Sequence, residues 1–164
     1  MAESTTTRKQ LIDLLNEDLS REYQAIIAYV VYSQALKGAA YMSIAKELEV
    51  HAGEELQHAL TIAKQIDYLG GMPNGTALAV KLIDDAKGML RADLENENDT
   101  IRAYRRRVKE CEALGEFAMA EEIREILRQE QEHQIDLATA LGEDVPDLSN
   151  QGEPPAPAKG KKRG

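Results

Sequence analysis

Apolar positions recur at alternating spacings of three and four over four long stretches of the chain, the period of a helix with one buried face. The first stripe runs Leu11, Leu15, Leu19, then Ile26 and Tyr29, and the second Ile44, Leu48, then Ile62 and Ile66. The third runs Leu90, Leu94, then Ile101, Tyr104 and Val108, and the fourth Ile123, Ile126, then Leu137 and Leu141. Breaks at Lys37-Gly38, Gly70 to Gly75, Ala113-Leu114-Gly115 and Leu141-Gly142 predict helices near 8–36, 39–69, 83–113 and 116–141. A helix of about 30 residues is roughly 45 Å long. The link from Gly70 to Ile83 can span roughly 46 Å when nearly extended, so it can run back along the helices and set the second and third parallel. The expected fold is all-α, a four-helix bundle with a long crossover between helices two and three.

Each stripe is interrupted at one level by residues that do not belong in an apolar core. Glu22 interrupts the first, His51, Glu55 and His58 the second, Glu97 the third, and Glu130 with His133 the fourth. A buried, unpaired carboxylate costs several kcal/mol even after relaxation, on the order of the effective penalty for a desolvated ion, and four facing one core would repel one another. Two divalent cations would offset four carboxylates. Glu55 with His58 and Glu130 with His133 are Glu-x-x-His pairs, three apart on one helix face. The halves also repeat: 33 residues separate Glu22 from Glu55 and 33 separate Glu97 from Glu130, and a tyrosine follows each lone Glu by seven, Tyr29 and Tyr104. His51, one turn before Glu55, and Glu54 are weaker candidates. Either they form an outer ligand set lining the way in, or His51 is a half-exposed residue capping the site. Tyr29 and Tyr104 are packing residues, with hydroxyls placed to hydrogen-bond a carboxylate or supply an electron.

One Glu from each of two helices plus a Glu-x-x-His from each of the other two resembles the inward-facing ligand set of ferritin-like di-iron and di-manganese bundles. The segments LNEDLSREYQAI, EELQHALTIAKQIDYLGGMPN, DLENE and EILRQEQEH carry a resemblance to bacterioferritin and its relatives over about residues 10 to 141. The resemblance implies Glu22 and Glu97 as terminal ligands, Glu55 and Glu130 as bridges between two irons, and His58 and His133 on one iron each. The family's central tyrosine falls on Tyr29. The implied activity is ferroxidation, Fe(II) oxidised with O2 or peroxide for iron storage and detoxification in a homo-oligomeric cage. Two features depart from bacterioferritin. Leu56 stands where that family carries its haem-ligating methionine, so no haem is expected. The chain runs on into DVPDLSNQGEPPAP rather than a fifth helix, which counts against the fourfold contacts of a 24-subunit cage and leaves open a 12-subunit cage like that of the DNA-protecting mini-ferritins. Rivals on the same ligand set are a rubrerythrin-like peroxide reductase, a di-iron hydroxylase and a manganese catalase.

Composition narrows the classes further. No stretch approaches the roughly 20 apolar residues of a membrane span, and MAESTTTRKQ has no apolar signal core, so a soluble, cytoplasmic protein is expected. The single cysteine, Cys111, allows no internal disulfide and reads as a small core residue. Residues 1–150 hold 16 basic against 28 acidic residues, an acidic body suited to cations rather than nucleic acid. Lys159, Lys161, Lys162 and Arg163 make the end basic. The expected division is a bundle over 1–145 and a disordered Pro/Gly/Lys-rich tail over 146–164. That tail is the basis of a further rival, a cage that shields DNA by holding it electrostatically.

Overall fold

The computed structural model describes residues 6–149, and the basic end of the chain lies outside them. Four helices form: α1 (Arg8–Ala35), α2 (Met42–Tyr68), α3 (Ala86–Ala113) and α4 (Phe117–Leu141). Their ends follow local chemistry. Thr7 and Gln10 close a capping box on α1, and the Asp85 side chain accepts from the Gly88 N–H, so α3 begins three residues later than the stripe alone predicts. Likewise α2 starts at Met42 rather than 39, because Ala39–Tyr41 tightens into a 3-10 turn after Gly38. Gly142 ends α4 in the left-handed region at φ 72°, where its N–H and that of Glu143 reach back to Thr139 and Ala138.

Helices α1 and α2 pack as one hairpin and α3 and α4 as another. Residues 69–85 make the crossover, in register along α1. Asn16 reaches the Met72 carbonyl at 3.1 Å, Tyr23 that of Asn74 at 3.1 Å, Gln24 that of Ala79 at 2.9 Å, and Tyr32 that of Lys81 at 2.6 Å. The link therefore climbs the first helix from its beginning towards its end, and α3 starts where α2 started. The fold is an all-helical four-helix bundle with the long central crossover expected from the spacing.

The core is not continuous. One apolar cluster contains Leu11, Leu15, Leu19, Ile62, Ile66 and Ile123, and a second contains Tyr32, Leu48, Leu90, Leu94 and Leu137. Burial of such side chains stabilises by roughly 1.5–3 kcal/mol each. Contacts extend past the expected boundary at 145. Leu148 is buried and its carbonyl accepts from Arg105, so residues 146–149, expected in the tail, lie against the bundle because one apolar side chain there finds a seat. Among the described residues no helix is long and apolar enough to cross a membrane.

Candidate metal centre

Between the two apolar clusters lies a polar layer. Glu22, Glu55, His58, Glu97, Glu130 and His133 are all buried there, one level of all four helices. Their donor atoms fall into two overlapping groups. Glu22, Glu55, His58 and Glu130 form one, and Glu55, Glu97, Glu130 and His133 the other, each with ligand atoms within 4.8 Å of one another. Glu55 and Glu130 belong to both, as two ions sharing bridging carboxylates require.

The histidines face this layer with Nδ1. His58 Nδ1 lies 3.0 Å from Glu55 Oε2 and 3.3 Å from Glu130 Oε1, and His133 Nδ1 lies 3.0 Å from Glu55 Oε1 and 3.1 Å from Glu130 Oε2. Each outer nitrogen has its own partner: His58 Nε2 sits 2.7 Å from Gln129 Oε1, and His133 Nε2 sits 2.7 Å from Glu54 Oε2. A proton held on Nε2 by an oxygen fixes the ring and leaves Nδ1 as the nitrogen a metal would take. Tyr29 donates to Glu97 and Tyr104 donates to Glu22, both through buried hydroxyls, which satisfies the expectation that these tyrosines touch the carboxylates.

Electrostatics show how the layer is held without metal. Burial and the neighbouring Glu130, Glu22 and Glu97 push Glu55 well above the usual carboxylate range, and burial with Glu130 pushes Glu97 up to about 8. Burial alone would lower the two imidazoles, but the carboxylates crowded against them outweigh it and hold His58 and His133 well above the usual range. Glu130, between both imidazoles, is drawn down despite its burial. Two imidazolium rings therefore stand in for part of the positive charge the layer needs.

They do not complete it. Glu22 Oε2, Glu55 Oε1, Glu97 Oε2 and both Glu130 oxygens are buried ligand oxygens that no well-aligned hydrogen bond satisfies. Unsatisfied lone pairs on four carboxylates, all facing one layer beside two imidazoles, fit divalent cations of the Fe(II) or Mn(II) kind. The arrangement is consistent with a di-metal site.

The weaker candidates are placed nearby. Glu54 accepts from His133 as described, and His51 is buried with its ring stacked on that of His133, centroids 4.0 Å apart. His51 is therefore no half-exposed cap. Sequence reasoning missed Gln129, Glu47 and Asp136, which contact His58 or His51 from the rim of the α2–α4 groove. It also missed Asp18, Asp93 and Arg107, which are buried outside the metal layer. Gln129 was findable, since it precedes Glu130 as Glu54 precedes Glu55.

Comparison with known proteins agrees with this geometry. The family description of the ferritin-like domain matches residues 12–144. The bacterioferritin of Brucella melitensis is 28% identical over 142 residues, covering 82% of this chain and 88% of that protein. The bacterioferritin of Streptomyces coelicolor is 29% identical over 143 residues, covering 83% and 86%. Among solved structures, one of ferritin-like, diiron-carboxylate proteins from Bacillus anthracis superposes with a TM-score of 0.79 at 31% identity, covering 82% of this chain and 96% of that one. A dodecameric thioferritin, the bacterioferritin-related protein from Bacteroides fragilis, superposes with a TM-score of 0.78 at 28% identity, covering 84% and 88%. With its crossover bundle and its buried Glu/His layer, the chain belongs to the ferritin-like family.

Proposed function

We propose that the chain is a ferroxidase for iron storage and detoxification, taking two Fe(II) ions into the buried layer and oxidising them with O2 or peroxide. The observation that carries this reading is the set of orphaned donors shared between two four-residue groups. In this reading Glu22 and His58 hold one ion, Glu97 and His133 the other, and Glu55 and Glu130 both. When bound, the pair supplies two electrons, one from each ferrous ion. O2 with two protons becomes hydrogen peroxide, or hydrogen peroxide with two protons becomes two waters.

The chain's own residues prepare the layer for this. Loading displaces the Nδ1 protons of His58 and His133 and any proton on Glu55 and Glu97, so the carboxylates become ligands as the imidazolium charge is replaced. Tyr29 and Tyr104 keep Glu97 and Glu22 oriented throughout. Apolar side chains on both sides exclude bulk water and keep the local dielectric low.

The acidic composition favours cation uptake, and the proposed setting is a hollow, cytoplasmic homo-oligomer in which ferric product collects. The likeness to a dodecameric protein supports a 12-subunit cage. Cys111 is buried and its thiol is pushed up to about 12, chiefly by that burial, in keeping with a core residue that takes no part in the chemistry.

Stopped-flow mixing of metal-free protein, preloaded anaerobically with Fe(II), against O2 tests the activity. Fast oxidation is expected to saturate at about two ions per chain. Glu55→Ala or Glu130→Ala should abolish the fast phase, and a variant with an unchanged rate rules the assignment out. Mass measurement in solution tests the cage: a dimer contradicts storage.

A further inference from the structure

The two halves of the chain superimpose in sequence at an offset of 75 residues, which carries Glu22 onto Glu97, Glu55 onto Glu130, His58 onto His133 and Tyr29 onto Tyr104. Along the groove between α2 and α4 that correspondence fails at three places. His51, Glu54 and Asp136 at one end are matched by Ile126, Gln129 and Thr61 at the other. The fold accepts an apolar side chain, an amide and a hydroxyl at these positions, so packing alone does not call for an imidazole between carboxylates.

His51 is only 1% exposed, yet its Nε2 lies 3.1 Å from Asp136 Oδ2 and 3.9 Å from Glu47 Oε1. Its Nδ1 is buried without a hydrogen-bond partner. The two carboxylates differ from the ring in access: their side chains are 47% and 41% exposed and line a surface hollow of about 340 Å³ at the end of the groove. One imidazole nitrogen and two carboxylate oxygens from two helices lie within 4.8 Å of one another. Metal–ligand bonds of roughly 2.0–2.2 Å bring ligands of one ion to about 3–4 Å, a distance that small rotations of the exposed Glu47 and Asp136 reach.

We propose that Glu47, His51 and Asp136 form a third divalent-metal site, open to solvent and separate from the buried di-metal layer. Mixed imidazole and carboxylate ligands select a first-row transition ion over magnesium or calcium, which prefer oxygen alone. The site borders the inner layer, because His51, Glu54 and His133 also place ligand atoms within 4.8 Å of one another. An ion held by His51 is thus one ligand set away from His133. The existence of the site does not rest on the proposed oxidation chemistry.

Equilibrium dialysis of the metal-free protein against Co(II), with elemental analysis of the retained metal, tests it. Glu47→Gln/Asp136→Asn alters two exposed side chains and leaves the core intact. It is expected to retain about one ion fewer per chain than the unaltered protein, which should hold about three. Glu122→Gln/Glu125→Gln, removing the same charge at the far end of the groove, is expected to retain the full number. Equal retention by Glu47→Gln/Asp136→Asn and the unaltered protein overturns the proposal, as does an equal loss in both surface variants. Glu55→Gln/Glu130→Gln separates the two readings. If that variant loses nothing while Glu47→Gln/Asp136→Asn loses one ion, the third site stands and the di-metal layer falls.

Discussion

Glu54 holds the outer nitrogen of His133 at 2.7 Å, where the other half of the chain offers His58 the neutral Gln129 at the same distance. A carboxylate behind an imidazole raises its basicity more than an amide does, so two ions bound in this layer would meet unequal halves. Glu54→Gln should weaken the ion nearer His133 by about tenfold, the lower end of measured outer-partner effects. Competitive Zn(II) titration of the metal-free protein reads the change, and equal affinities before and after substitution would refute the inequality.

The tyrosine hydroxyls stabilise the layer before metal arrives. Tyr29→Phe and Tyr104→Phe each remove a donor from a buried carboxylate, Glu97 and Glu22 respectively. Each should cost the metal-free protein about 1–3 kcal/mol, the penalty for a buried acceptor left unsatisfied. The loss should shrink once metal is bound, because the ions then satisfy the same oxygens. Denaturant unfolding with and without Zn(II) measures both.

Stability of the metal-free protein should fall as pH rises from mildly acidic to neutral. The folded state keeps a proton on Glu97 up to about 8, whereas an unfolded glutamate loses it near 4.5. Between those values the fold binds more protons than the unfolded chain, so stability declines through that window. His58 and His133, also raised, act in the same sense from about 6.5 upward. Glu130, held low, contributes above about 4.5 and loses its contribution as pH falls below that. Thermal melts should therefore show a maximum Tm near pH 5 without metal, a fall towards pH 8, and a much smaller fall when Zn(II) is present. A metal-free Tm that climbs from pH 5 to 8 contradicts the charge assignment.

Two buried aspartates outside the metal layer should respond in opposite ways. Asp18 is paired with Arg107 at 2.7 and 3.0 Å, while its counterpart Asp93 is buried with Oδ2 unpartnered and is pushed well above the usual carboxylate range by burial. Arg107→Met leaves Asp18 only the ion pair with Arg21 one turn along α1, and the loss of two buried charge-assisted hydrogen bonds should destabilise by about 1.5–3 kcal/mol. Asp93→Asn removes no partner and should change stability by less than about 1 kcal/mol. Denaturant midpoints for the two variants test the contrast.

Much of this site was legible in the sequence because burying charge is costly. Glu22, Glu55, His58, Glu97, Glu130 and His133 announce themselves as gaps in stripes that otherwise hold leucine and isoleucine, and one glycine or proline segment marks each helix end. Residues that act from the rim leave no such gap. Glu47 and Asp136 are partly exposed and read as ordinary solvated carboxylates until the pairing of α2 with α4 brings Asp136 to His51, one turn along α2 from Glu47. Asp18 and Asp93 each precede a stripe leucine, Leu19 and Leu94, and look solvent-facing until Asp18 meets Arg107 across α1 and α3. Which helices pair, and in what register, follows from the crossover, and no single helix carries that information.

In the proposed reading six buried side chains hold two metal ions in one layer. Crystals of the protein loaded anaerobically with Fe(II), measured on both sides of the iron absorption edge, test it directly. Two anomalous peaks per chain are expected, one beside His58 and one beside His133, both contacting Glu55 and Glu130. No peak in that layer at full loading, with iron found only at the surface, would contradict the account.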